Sequence, residues 1–132
     1  MLLHLHSICR TDSDLLDIFL AMSDNSLSKM KITWDSSACV GVVMTSGGYP
    51  GNYQTGFPIN GLDKVDSDIM VFHAGTKQDQ KSQIITDGGR VLTVAATGKT
   101  IAEAKDKVYK NLPSINFNGC YYRKDIAARE VN

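Results

Sequence analysis

Apolar residues in this chain gather into short runs separated by clusters of glycine, asparagine, aspartate and serine. After Thr11-Asp12-Ser13-Asp14, a set of N-cap candidates, Leu15, Leu16, Ile18, Phe19, Leu20 and Met22 follow at helical spacing. That pattern predicts a helix over residues 13–24 with one broad apolar face. Residues 27–35 read as a mixed connector that ends in a strand around 31–34. Residues 37–45 (Ser-Ala-Cys-Val-Gly-Val-Val-Met-Thr) are a nearly continuous apolar run rich in β-branched side chains, the signature of a strand buried on both faces. Ser46-Gly47-Gly48-Tyr49-Pro50-Gly51-Asn52-Tyr53 packs too many turn residues together for a regular element and reads as a shaped loop. Asn60-Gly61 marks a further turn, 63–68 a polar surface connection, and 69–74 another strand that ends in Gly75-Thr76-Lys77.

Residues 78–83 are polar and exposed in this reading. The next stretch, Ile84-Ile85-Thr86-Asp87-Gly88-Gly89-Arg90-Val91-Leu92-Thr93-Val94, places two β-rich runs on either side of Asp-Gly-Gly. It predicts a hairpin whose glycines take positive φ and leave backbone N–H groups open to a ligand. Arg90 would stand at the mouth of its second strand, where a planar cation suits a phosphate or carboxylate. The plainer alternative is a simple turn with a solvated arginine. Thr100 caps a second helix, with Glu103 at the reciprocal position of a capping box. Ile101, Ala104, Val108, Tyr109 and Leu112 line its inner face, and Pro113 ends it. Residues 116–122 read as a short extended piece and 125–129 as a terminal helical turn. The order of elements specifies an α+β protein with a mainly antiparallel sheet and two main helices.

With 132 residues the chain can build one domain with a real core. Fourteen basic residues balance fourteen acidic ones, so a general nucleic-acid or membrane-surface binder is excluded and any anion must be held locally. Cys9, Cys39 and Cys120 are odd in number and fit no metal pattern, which points to reduced thiols in a cytoplasmic protein; Cys39 sits in an apolar run as a small core residue. His4 and His6 lack third and fourth partners at useful spacing, so no metal site is assigned. The first eight residues are too short and polar for a signal peptide or a membrane span.

Four stretches together carry a family resemblance: Ser46-Gly-Gly-Tyr-Pro-Gly-Asn-Tyr with Gly56, Phe72-His-Ala-Gly-Thr-Lys, Asp87-Gly-Gly-Arg-Val-Leu, and Gly119-Cys-Tyr-Tyr-Arg-Lys-Asp-Ile with Arg129. Their order and spacing resembles the C-terminal part of phosphoribosylamine–glycine ligase (glycinamide ribonucleotide synthetase), of the ATP-grasp superfamily. The resemblance runs from about Leu15 to Arg129. It implies de novo purine biosynthesis: ATP converts the glycine carboxylate to glycyl phosphate, which the amine of 5-phosphoribosylamine attacks. At its start the chain departs from the family, where His6-Ser-Ile-Cys-Arg-Thr-Asp-Ser inserts a few residues before the helix.

The resemblance implies a helical lead-in over 1–36 and a barrel- or sandwich-like C-terminal ligase domain over 37–132. It also implies that ATP and magnesium serve the full-length enzyme but are not bound by this chain alone. The N-terminal and ATP-grasp domains of the same enzyme would be its partners, with phosphoribosylamine and glycine as substrates and no nucleic acid or membrane. By position in the family pattern, Lys77 and Arg90 are the candidates to reach the ribose phosphate, with Thr76, Gly88 and Gly89 adding hydroxyl and backbone donors. Tyr49 and His73 are expected to shape the pocket, and no residue is assigned a catalytic role. His73 is read as a hydrogen-bonding loop residue rather than a general base, and Arg123 with Asp125 as a structural ion pair. The competing reading is a non-catalytic module that binds a phosphorylated ligand or a partner chain.

Overall fold

A computed structural model describes residues 11–131. Helix α1 (Leu15–Ser23) opens it, followed by a 3-10 turn (Leu27–Lys29), then strands β1 (Ala38–Thr45), β2 (Ile69–His73), β3 (Thr76–Gln78), β4 (Ile84–Thr86) and β5 (Arg90–Gly98). Helix α2 (Ile101–Asn111) and a second 3-10 turn (Leu112–Ser114) follow. The fold is α+β with antiparallel pairing throughout, as the pattern of elements required, and both sheets are open.

β5 organises the molecule. It lies between β1 and β2 in a three-stranded sheet, and residues 91–96 are all buried. That is why Val91-Leu92-Thr93-Val94-Ala95-Ala96 is apolar but for Thr93: a central strand covered on both faces has no solvent side to keep polar. Val40, Val42 and Met44 of β1 join Leu92, Val94 and Ala96 in a core that Ala104 and Val108 of α2, and Leu112 just after it, also enter. Gly98 lets α2 turn back closely, since a Cβ there would stand 2.7 Å from the Ala104 nitrogen. α2 begins as its sequence indicated. Thr100 Oγ1 accepts from Glu103 N (3.2 Å), and the Glu103 carboxylate accepts from Lys99 N (2.9 Å), one residue before the cap itself.

The sequence-predicted hairpin over 84–94 does not form. β4 pairs with β3, and β5 pairs with β1 and β2, so the two apolar runs belong to different sheets. Both edges of β5 are already occupied, which leaves β4 to find another partner. The hairpin is β3–β4 instead, turned by 79–83, where Asp79 Oδ1 accepts from Lys81 N (2.8 Å) and Gln83 N (2.9 Å). On its other side β4 meets residues 56–59, through Gly56 N to Thr86 O (2.7 Å) and Ile59 N to Ile84 O (2.9 Å).

Two smaller expectations also change. The strand around 31–34 is reduced to a single bridge between Thr11 and Trp34. The 125–129 segment is a turn rather than a helix, closed by Ala128 N to Asp125 O (3.1 Å), because Ala127 takes a left-handed φ of 58°. The apolar face of α1 exists but is not covered: no residue of the helix is buried. Residues 116–122 are extended as expected, anchored by bridges from Asn116 to Asn60 and from Tyr121 to Thr45. Cys39 is a core residue; His4, His6 and Cys9 lie outside the described residues. No helix among the described residues is long and apolar enough to cross a membrane.

Candidate functional site

The motif residues meet where three connections cross: 46–49 after β1, 74–75 between β2 and β3, and 87–89 between β4 and β5. The β2–β5 pairing runs on past His73, with Ala74 N donating to Val91 O (3.0 Å) and Gly75 N to Arg90 O (2.8 Å). Gly75 O then accepts from Asp87 N (2.7 Å). At this crossing a Cβ on Gly75 would stand 2.8 Å from the Gly88 Cα and 2.6 Å from the Arg90 carbonyl oxygen. A Cβ on Gly89 would enter the ring of Tyr49. Gly75, Gly88 and Gly89 are absent from the positive-φ glycines, which are Gly48, Gly56, Gly61 and Gly119. The glycines of His-Ala-Gly and Asp-Gly-Gly are therefore required by backbone and ring packing, not by turn geometry, which corrects the reading from sequence.

Ser46 fastens this crossing from below. It is buried (3% exposed), its Oγ donates to Gly88 O (2.8 Å) and its N–H to Gly89 O (2.8 Å). Sequence reasoning assigned Ser46 no role, since one serine ahead of a glycine cluster carries no local signal.

The two cations stand in different surroundings. Lys77, on β3, places Nζ 2.8 Å from Asp87 Oδ1, with both side chains about half exposed. Arg90, at the start of β5, makes no ion pair or side-chain hydrogen bond among the described residues. It lines an open pocket of about 300 Å³ together with Thr45, Tyr49, Tyr121, Tyr122 and Ile126. Lys77 is not part of that wall. His73 Nδ1 lies 3.0 Å from Thr76 Oγ1, so these two side chains engage each other. Thr76, Gly88, Gly89 and Tyr49 thus gather around one crossing, with Lys77 tied to Asp87 and Arg90 open to the pocket.

The far wall of the pocket is held by charge and by a partly buried phenol. Arg123 grips Asp125 through two bonds of 2.8 and 2.6 Å; this pair raises the arginine's pKa and holds the Asp125 carboxyl below its ordinary value. Tyr109 of α2 donates its hydroxyl proton to Arg123 O (2.8 Å) and accepts from Ile126 N (3.0 Å). Burial pushes the Tyr109 phenol up, so it stays neutral and can serve both bonds. Burial likewise raises the Cys120 thiol.

A second depression of about 360 Å³ lies beyond the glycine loop, lined by Gly47, Asn52, Tyr53, Gln54, Phe57 and Asn118. No group of three or more His, Cys, Asp or Glu side chains among the described residues is placed to hold a metal ion.

Comparison with known proteins decides the family. The model for "Phosphoribosylglycinamide synthetase, C domain" matches residues 39–129. The chain belongs to this family. It is 45% identical over 123 residues to phosphoribosylamine–glycine ligase of Escherichia coli O6:H1, covering 92% of this chain and 29% of the relative. With the ligase of Halalkalibacterium halodurans it shares 39% over 122 residues, 92% of this chain and 28% of the relative. The crystal structure of phosphoribosylamine–glycine ligase from Thermotoga maritima superposes with a TM-score of 0.66 at 29% identity, over 83% of this chain and 27% of that one. The chain therefore spans less than a third of the relatives it matches, and it corresponds to their C-terminal portion. All four glycine-bearing motifs fall inside the matched residues.

Proposed function

We propose that this chain supplies the ribose-phosphate contacts of a phosphoribosylamine–glycine ligase. Such an enzyme joins glycine to 5-phosphoribosylamine at the expense of ATP, through glycyl phosphate. In this reading residues 37–132 form the C-terminal ligase domain and 1–36 a lead-in from the ATP-grasp region. ATP and magnesium are handled by the remainder of the ligase, in a cytoplasmic setting. Arg90 is the primary phosphate ligand. Lys77, Thr76 and the backbone at Gly88 and Gly89 add donors, while Tyr49 and His73 shape the surroundings.

The observation that carries this reading is Arg90, which lines an open pocket and forms no ion pair with a carboxylate among the described residues. A cation so placed retains its full field for an incoming dianion. The chemistry asked of the chain is positioning: holding the phosphate fixes the amine at the other end of the sugar for attack on an acyl phosphate.

Titration of ribose 5-phosphate, followed by amide NMR, tests it. Shifts should centre on 76–77 and 88–90. Arg90→Ala should weaken binding about tenfold or more, as loss of a charge-assisted bond requires, and Lys77→Ala should weaken it less. Wild-type shifts absent at millimolar ligand, or unaffected by Arg90→Ala, would end the phosphate assignment.

A second reading, an interaction module for a partner chain, is favoured by α1, where Leu16, Phe19, Leu20 and Met22 are all exposed. It predicts association without anion affinity, and the same titration separates the two.

A further inference from the structure

We infer that Ser46 is a positioning residue for Arg90, acting through the carbonyls of Gly88 and Gly89. The inference rests on the phosphate role of Arg90 for its functional meaning, but its structural content can be tested without a ligand.

A strand that begins with the residue meant to hold an anion needs its preceding backbone fixed, because a change of one torsion at 88 or 89 swings the whole arginine. Gly88 and Gly89 have no side chains to restrict those torsions. The restriction comes from outside. The Ser46 hydroxyl donates to Gly88 O and its N–H to Gly89 O, both at 2.8 Å, so one buried residue holds two successive peptide planes. Gly75 closes the opposite side, where a Cβ on Gly88 would stand 3.1 Å from the Gly75 Cα, and the Tyr49 ring covers Gly89. Ser46 also follows Thr45, the residue paired with Arg90 in the β1–β5 register, just after a bulge between Met44 and Thr45. β1 thus presents Thr45 alongside Arg90 and then uses the next residue to lock the peptides that lead into it. Among these contacts only the Ser46 hydroxyl bond can be removed by changing one atom of a side chain while the backbone bonds remain.

Ser46→Ala and Ser46→Thr are the variants, each examined by amide NMR, hydrogen exchange and ribose 5-phosphate titration. Ser46→Ala should displace the 88–90 amide resonances and speed exchange there, with Val42 and Val94 unchanged. Its affinity for ribose 5-phosphate should fall about five- to tenfold, the size of one lost hydrogen bond. Ser46→Thr keeps the hydroxyl and should stay within about twofold of wild type. Four results would overturn the inference: unchanged 88–90 resonances in Ser46→Ala, unchanged affinity in that variant where the wild type binds, equal weakening in both variants, or global unfolding of Ser46→Ala, which would make Ser46 a core residue. If the wild type itself fails to bind, the phosphate reading fails alone. The local resonances and exchange rates then still report whether Ser46 sets the Arg90 backbone.

Discussion

Lys77, in the middle of β3, and Arg90, at the start of β5, are both cations, yet the neighbouring carboxylate treats them differently. Asp87 lies 2.8 Å from Lys77 and offsets its charge, so an anion reaching Lys77 must compete with a tethered rival. Arg90 has no such rival among the described residues. Removing Asp87 should therefore strengthen anion binding rather than weaken it. We expect Asp87→Asn to tighten ribose 5-phosphate binding by about two- to fivefold at low salt, with the gain fading as ionic strength rises and the Debye length drops to about 8 Å. Because the pair is exposed, the same variant should cost less than about 1 kcal/mol of stability. Isothermal titration at two salt concentrations, with a thermal melt, checks both parts. Weaker binding in Asp87→Asn would mean that Asp87 orients Lys77 instead of neutralising it. Neither the ion pair nor the Ser46 clamp could be read from sequence, since each joins residues whose closeness depends on the three-way crossing.

At the scale of elements, what was legible is what local physics determines. The Thr100 and Glu103 cap, the buried stripe of α2 and the apolar run of β1 follow from propensity and periodicity within a few residues. Thr100→Ala should accordingly cost about 1 kcal/mol, read as a fall of about 3 to 5 °C in melting temperature for a chain of this size. Both ends of α2 also depend on ionised carboxylates. Lys99 N–H holds the Glu103 carboxyl below its ordinary 4.5, and the Asn111 amide, with Lys110, holds Asp66 below its ordinary 3.8. A group whose folded pKa is depressed stabilises the fold above its unfolded value and loses that contribution as pH falls through the folded one. The melting temperature should thus be flat from pH 7 to about 5 and decline below about 4.5, with Glu103→Gln removing the upper part of that decline. The β4–β5 misreading has the opposite origin. Asp87-Gly88-Gly89 has the composition of a hairpin turn, but strand partners are chosen by the whole sheet, and β5 had two better ones in β1 and β2. The true hairpin hid in Thr76 to Gln83, a polar stretch with little hydrophobic alternation, turned by Asp79. Pattern finds strands that bury a face; it does not see β3, three residues of which none is buried.

At the scale of the molecule, the core and α1 obey different rules. The sheet and α2 bury Val42, Val94, Val108 and Leu112 almost completely, whereas α1 leaves Leu16 64% and Phe19 57% exposed. An amphipathic helix normally covers its stripe, and a cluster of several large apolar side chains left open marks a contact surface. The chain matches 29% of the length of the Escherichia coli ligase, and in the proposed enzyme the rest of that ligase would supply the cover. Expressed as this chain, the surface should find itself: gel filtration with light scattering should give a mass that rises with concentration. Leu16→Lys with Phe19→Lys should return the mass to that of one chain. The melting temperature measured on the monomer should hardly move, since surface substitutions away from packed features stay within about 0.5 kcal/mol and no α1 residue is buried. Ribose 5-phosphate affinity should also persist, because the crossing at Ser46, Gly75 and Gly88 draws on none of the α1 residues. A double variant that unfolds would show that α1 packs on the core after all, and one that stays associated would move the contact surface elsewhere on the molecule.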